Sequence, residues 1–194
     1  MRALPAIREL ILTKGFYSRR YSDALMHELI DDVPWHADYY EAFGRRFEIP
    51  RLQAWIADDG IQYSYSNNLL PVLPWSQRLW AVKQDVEHAA GHRFNAVLLT
   101  YYRHGEDHVT WHADDERELG PEPVIASLSL GATRSFSYSA GCGDATAQSL
   151  FLGGGDLLLM LPAFQRGWQH CVPMEPAVRH PRINLTFRRV VNPA

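Results

Sequence analysis

The sequence predicts an α+β fold, with N-terminal helices packed on one side of a sandwich or jelly roll of short strands. Three observations predict it. From Phe94 onward, short apolar and alternating runs are punctuated by Gly131, Gly141-Cys142-Gly143, Gly153-Gly154-Gly155 and Pro162. No helical pattern separates those runs, which disfavours a parallel α/β sheet. Before residue 93, two stretches repeat apolar residues at helical spacing instead. The 194 residues fit one domain, and a chain of this size buries about 70% of its unfolded surface.

In order, residues 9–13 read as a short strand entering the Lys14-Gly15 turn. Ser22 offers an N-cap to a helix whose apolar stripe is Leu25, Met26, Leu29 and Ile30, and which must stop before Pro34. The stretch 35–70 interleaves aromatic and basic residues, among them Trp35, Tyr39, Phe43, Arg45, Arg46, Phe47, Arg51 and Trp55. Such a mixture suits the phosphates and bases of a nucleic acid, and it equally fills a seam between helices and a sheet. For most of these rings the seam is the better reading. Ile61–Tyr65 alternates at period two, placing Tyr63 and Tyr65 on one strand face. A second helix follows Pro74-Trp75-Ser76, capped by Ser76, buried through Leu79, Val82, Val86 and Ala90, and ended by Gly91. His88 and His92 at its end suit the helix dipole rather than a metal. Strands are then expected at 94–102, 124–130, 134–139, 148–152, 156–161, 168–172 and 182–190, with no repeat or linker.

Composition excludes several functions. Hydrophobic residues make up 46% and charged residues 21%, as in an ordinary soluble globular protein. A net charge of −3 gives no general pull on nucleic acid, so phosphate contacts would need local basic clusters. Two cysteines without a C-x-x-C exclude a disulfide framework and a thiolate zinc site. Neither a signal peptide nor an apolar run of membrane-spanning length is present, so a cytoplasmic location and no membrane partner are expected.

The chemistry centres on Thr110-Trp111-His112-Ala113-Asp114-Asp115. In extended backbone, positions i and i+2 share a face, so His112 and Asp114 can hold one ion. An imidazole with a hard carboxylate suits iron(II), manganese or zinc. An isolated H-x-D also arises by chance, and Asp114 then simply belongs to an acidic turn. His170 is the best third ligand, completing a two-His, one-carboxylate facial triad with open positions; otherwise it is a core histidine bonded to backbone. The last strand, Arg182-Ile183-Asn184-Leu185-Thr186-Phe187-Arg188, alternates throughout. Its polar face is either a solvated edge or a preformed anion pocket. The pocket is favoured because that face carries two arginines and no acid or lysine.

Together these motifs resemble the AlkB family of iron(II)- and 2-oxoglutarate-dependent dioxygenases, in particular its nucleic-acid repair subgroup. The resemblance covers roughly residues 45–190 and includes Ile125–Arg134 and His112–Leu119. It implies a double-stranded β-helix core at 94–190 and a helical, substrate-recognising part at 1–93, in one domain. By resemblance, His112, Asp114 and His170 bind iron, while Tyr102 and Arg182 hold 2-oxoglutarate in a pocket completed by Asn184, Thr186 and Arg188. Thr100 stands where the family commonly has an asparagine that contacts the cosubstrate, a departure that implies a lower cosubstrate affinity. The resemblance also implies that Asp115 faces the substrate base and Arg134, that Tyr63, Ser64 and Tyr65 line the base pocket, and that Phe43-Gly44-Arg45 is a base-flipping finger. The implied activity is oxidative demethylation, with dioxygen, of N-alkylated bases in DNA or RNA, by a monomer. Two alternatives stay open: a 2-oxoglutarate oxygenase acting on protein or a small molecule, and a cupin-like metal binder.

Overall fold

The computed structural model describes residues 7–42, 44–61, 64–65, 68–69, 71–141 and 147–191. Its first half contains strand β1 (Leu10–Thr13), helix α1 (Arg19–Asp32), strands β2 (His36–Ala42) and β3 (Arg45–Ala57), three two-residue strands β4 (Ser64–Tyr65), β5 (Asn68–Leu69) and β6 (Val72–Leu73), and helix α2 (Gln77–Ala90). Strands β7 (Ala96–Tyr102), β8 (Val109–His112), β9 (Ile125–Gly131), β10 (Arg134–Ser139), β11 (Gln148–Leu152) and β12 (Leu157–Met160) follow. Helix α3 (Pro162–Gly167), β13 (Gln169–Val172) and β14 (Arg182–Arg188) complete the chain.

An eight-stranded sheet runs β1-β12-β9-β14-β7-β3-β2, with β6 added in parallel to β3. A four-stranded sheet, β11-β10-β13-β8, packs against one of its faces. The two helices cover the other face. The period-two patterns decide which side chain enters which layer. Val97 and Leu99 of β7, Leu128 and Leu130 of β9, and Ile183, Leu185 and Phe187 of β14 meet Leu25, Met26 and Leu29 of α1 and Leu79, Val82 and Val86 of α2. Between the sheets lies a second core, where Trp55, Leu98, Ile125 and Leu158 meet Phe136, Tyr138, Leu152 and Phe164. Burying one such side chain stabilises the fold by about 1.5–3 kcal/mol. This is the expected jelly roll with helices on one side.

Several elements differ from expectation, among them β8, which was not among the expected strands. Helix α1 starts a turn early: the Ser18 hydroxyl accepts from the Tyr21 N–H, and Ser22 is buried inside the helix rather than capping it. The aromatic and basic stretch contains two long strands, β2 and β3, and β3 lies between β2 and β7. The parts distinguished at residue 93 therefore share one sheet. Pro162, read as a strand break, is the first residue of α3, where a missing N–H costs no helical bond. Helix α2 is as expected, with Ser76 Oγ accepting from Leu79 N–H and Gly91 left-handed at φ 61°. Among the described residues, no helix is long and apolar enough to cross a membrane.

Candidate active site

Strand pairing builds the metal-ligand cluster. β13 and β8 are antiparallel neighbours in a register that sets His170 opposite His112, and their rings lie 4.2 Å apart between centroids. Asp114 lies just past the end of β8, where its backbone N–H donates to Oε1 of buried Gln165 on α3 at 3.0 Å. One ligand atom from each of His112, Asp114 and His170 falls within 4.8 Å of the others, the spread of groups able to share an ion. Thus the H-x-D pair converges although only its histidine belongs to the strand.

The charge states suit a cation. Burial alone would raise the Asp114 pKa, but Arg188 and the two imidazoles outweigh it and hold the carboxyl at about 2. Burial, reinforced by His112, lowers His170 to about 3, so its imidazole is neutral at physiological pH. Arg188 Nη2 donates to Asp114 Oδ1, aiming the carboxylate. His112 Nδ1 lies 2.8 Å from the Thr110 carbonyl, a contact that fixes the tautomer with the proton on Nδ1 and leaves the Nε2 lone pair for a metal. Phe136 stacks on His170 at 5.1 Å and 25°, fixing that ring by packing.

The polar face of β14 is not a solvated edge. The strand is central, between β7 and β9, and Arg182, Asn184 and Arg188 are buried. Asn184 organises the face: its Oδ1 accepts from Arg182 Nη2 and from Ser127 Oγ, while its Nδ2 donates to Thr186 Oγ1. Arg182 also donates to Ser129 Oγ at 2.9 Å, and its guanidinium carbon lies 5.1 Å from the Tyr102 ring centre. Yet Arg182 Nε and Nη1 are buried without a hydrogen-bond partner, and no carboxylate among the described residues pairs with it. Burial lowers its pKa, although a guanidinium stays charged in proteins. A buried cation with two open donors calls for an anion, and a dicarboxylate that also reaches the metal fits.

Most of these residues surround one cavity of about 50 Å³, whose lining does not include Arg182 or Ser129. Thr100, Tyr102, His112, Asp114, His170, Asn184, Thr186 and Arg188 line it, together with Arg51, Gln53, Ser127 and Met160. A larger open groove of about 700 Å³ lies beside α1 and the start of α2, near Leu29, Pro34 and Arg78. Its lining includes none of the three candidate ligands, so the smaller cavity is the candidate reaction site. Gln165, Phe136, Ser127, Ser129 and Gln53 had no role in the sequence reading. Ser127 and Ser129 could have been found, because they are the two polar positions in the period-two run Ile125–Leu130.

The substrate-side assignments fare differently. Arg134 does not meet Asp115, which corrects the sequence reading. Arg134 is buried and held by Glu175 at 2.8 Å and by the carbonyls of His104, Gly105, Asp107 and Pro173, whereas Asp115 is exposed. Gly44, at φ 68°, turns the chain between β2 and β3, and Arg45 is exposed where β3 begins. Phe43 and Tyr63 lie outside the described residues; Ser64 and Tyr65 belong to β4, which pairs with β5.

Residues 9–188 match the 2OG-Fe(II) oxygenase superfamily. The mouse (Mus musculus) alpha-ketoglutarate-dependent dioxygenase alkB homolog 3 is 39% identical over 197 residues, covering 95% of this chain and 67% of that relative. The chain belongs to the AlkB family. Mouse DNA oxidative demethylase ALKBH2 is 35% identical over 90% of this chain and 77% of its own length. The solved structure of OsALKBH1 shares the fold, with a TM-score of 0.67 over 93% of this chain and 98% of that one, at 17% identity. This AlkB-family chain is thus a dioxygenase that uses iron(II), 2-oxoglutarate and dioxygen, and its His112–Asp114–His170 cluster could hold the metal.

Proposed function

We propose that the protein removes N-alkyl groups from bases of DNA, and of RNA, by oxidative demethylation. The observation that carries the chemistry is the pairing of the three convergent ligands with a buried arginine whose Nε and Nη1 are unmet. Two features support the substrate class: the relatives include a DNA oxidative demethylase, and the β2–β3 ribbon presents Tyr39, Phe47, Arg45 and Arg46 at its surface. Arg46 lies 3.9 Å over the Tyr39 ring, the combination of flat ring and cation that nucleic-acid surfaces use.

Bound iron(II) with 2-oxoglutarate and dioxygen supplies hydroxylation of the alkyl carbon, the cosubstrate leaving as succinate and carbon dioxide. The chain's residues set this up. His112, Asp114 and His170 would hold the metal through two imidazoles and one carboxylate, a donor set that suits iron(II). Arg188 keeps Asp114 ionised and aimed, and Gln165 anchors its backbone. Arg182, oriented by Ser129 and Asn184, takes the distal carboxylate with Tyr102 beside it. Phe136, Leu98 and Met160 wall the cavity with apolar surface and exclude bulk water. The hydroxylated N-methyl group then leaves as formaldehyde, restoring the base. The same reading takes the protein as a cytoplasmic monomer, which light scattering and cell fractionation test.

The deciding assay loads the protein anaerobically with iron(II) and 2-oxoglutarate, admits air, and measures formaldehyde from N-methylated oligonucleotides and from N-methylated peptides. Formaldehyde from the oligonucleotides is expected. Formaldehyde from the peptides alone would move the protein to the alternative substrate class.

A further inference from the structure

Strand β3 brings to the cavity a side chain to which the roles above give no task. Gln53 is 1% exposed, and neither its Oε1 nor its Nε2 has a hydrogen-bond partner. An interior amide in that condition has lost its water and gained nothing in return, so a ligand is the natural candidate to satisfy it.

The sheet register says which ligand. Ser129 is opposite Asn184, Asn184 opposite Thr100, and Thr100 opposite Gln53. These four residues form one row across β9, β14, β7 and β3 on the cavity face. One row along the same face, Arg182 is opposite Tyr102, the pair assigned to the distal carboxylate. The row of Gln53 therefore adjoins the cosubstrate pocket. Within that row the Asn184 amide is engaged at both ends by Arg182, Ser127 and Thr186. Thr100 carries one hydroxyl and no second donor. Of the two amides lining the cavity, Gln53 is the one with both ends open. 2-Oxoglutarate at neutral pH presents only acceptors, and the open Nε2 offers two donors.

We infer that Gln53 is a cosubstrate-binding residue, its Nε2 donating to a carboxylate oxygen of 2-oxoglutarate from the β3 side of the pocket. The inference rests on the cavity being the 2-oxoglutarate site and adds a contact from a strand outside the R-x-N-x-T-x-R motif. It has a signature that a structural role lacks. Replacing an unsatisfied buried amide by an apolar group of similar shape relieves the unliganded fold while removing the ligand's donor.

The test uses Gln53→Met and Gln53→Glu in the full chain, with Mn(II) in place of iron(II). Titration calorimetry gives the Kd for Mn(II) and then for 2-oxoglutarate, and thermal melts are taken without ligand. Gln53→Met is expected to melt at or above the wild-type temperature, bind Mn(II) unchanged, and bind 2-oxoglutarate at least about 10-fold more weakly, the loss of one charge-assisted hydrogen bond. Gln53→Glu, which sets a carboxylate against the dicarboxylate, is expected to weaken it further. Wild-type 2-oxoglutarate affinity in either variant overturns the inference. A wild-type protein that binds Mn(II) but no 2-oxoglutarate overturns the underlying reading of the cavity instead.

Discussion

On one side of β14, Ile183, Leu185 and Phe187 are 0% exposed and meet α1 and α2; on the other, Arg182, Asn184 and Arg188 are 1%, 6% and 2% exposed and face the second sheet. Both sides of the same strand exclude water, but to opposite effect. In the helix-facing layer, burial stabilises, since the atoms removed from water are apolar. In the layer between the sheets, burial leaves Gln53, Arg182 and His170 with polar atoms unmet, which costs stability until something binds. Ser22, buried in α1 with its hydroxyl unpartnered, is the exception on the helix side. The helix-facing layer is apolar core throughout, whereas the inter-sheet layer holds apolar core beside the polar site, so substitutions in the first and at the polar positions of the second should separate stability from function.

The widest separation is expected at the metal cluster. His170→Ala should abolish formaldehyde release while the unliganded protein melts close to wild type, because three ligands are the minimum for this site. Turnover surviving in purified His170→Ala would dissolve the triad.

Leu185→Ala, on the opposite face from Asn184 and Thr186, should do the reverse. A loss of about 2–5 kcal/mol in urea unfolding is expected from the transfer and cavity terms, with the 2-oxoglutarate Kd of the folded fraction unchanged. A parallel loss of affinity would mean that the two faces are not independent.

Arg182→Lys is a smaller, more specific change. A point charge cannot reproduce the planar fork, so the 2-oxoglutarate Kd should rise while oligonucleotide binding stays near wild type. Equal losses in both would place Arg182 on the nucleic-acid side.

The smallest expected effect concerns the Arg134–Glu175 latch. Burial works to raise the Glu175 pKa, but the Ser135 N–H and Arg134 outweigh it and leave the pKa lowered. A folded-state pKa below the unfolded one gives stability that is present above the unfolded value, about 4.3, and is lost as pH falls through the folded one. Acid titration of stability should therefore show wild type falling below that pH, with Glu175→Gln less stable at neutral pH and flatter on the acid side. Parallel pH curves for the two proteins would remove Glu175 from the acid response.

The chemistry was more legible in the sequence than the scaffold. His112, Asp114 and the face of β14 announced themselves because their residue types and spacing are local. Strand β3 did not, because both faces of its second half are buried: Gln53 and Trp55 on one side and Ala54 and Ile56 on the other are all 2% exposed or less. A strand wet on neither side shows no clean alternation of polar and apolar residues. Ser22 was read as the first cap, and tertiary structure moves the cap to Ser18: Tyr17 N–H bonds the Gly155 carbonyl, Ser18 Oγ accepts from Tyr21 N–H, and Ser22 is packed inside. Gln165 gripping the backbone of Asp114, and Glu175 gripping Arg134, join residues 51 and 41 positions apart, which no local pattern encodes.

The most direct test of the two-faced sheet is the stability of wild-type protein as Mn(II) and 2-oxoglutarate are added together. If the inter-sheet layer is held polar for these ligands, unfolding free energy should rise with concentration, by about 2.7 kcal/mol at a hundredfold excess over Kd. Asp114→Ala should lose that gain and Leu185→Ala should keep it in full. A wild type that gains nothing, or an Asp114→Ala protein that gains as much, would contradict the account.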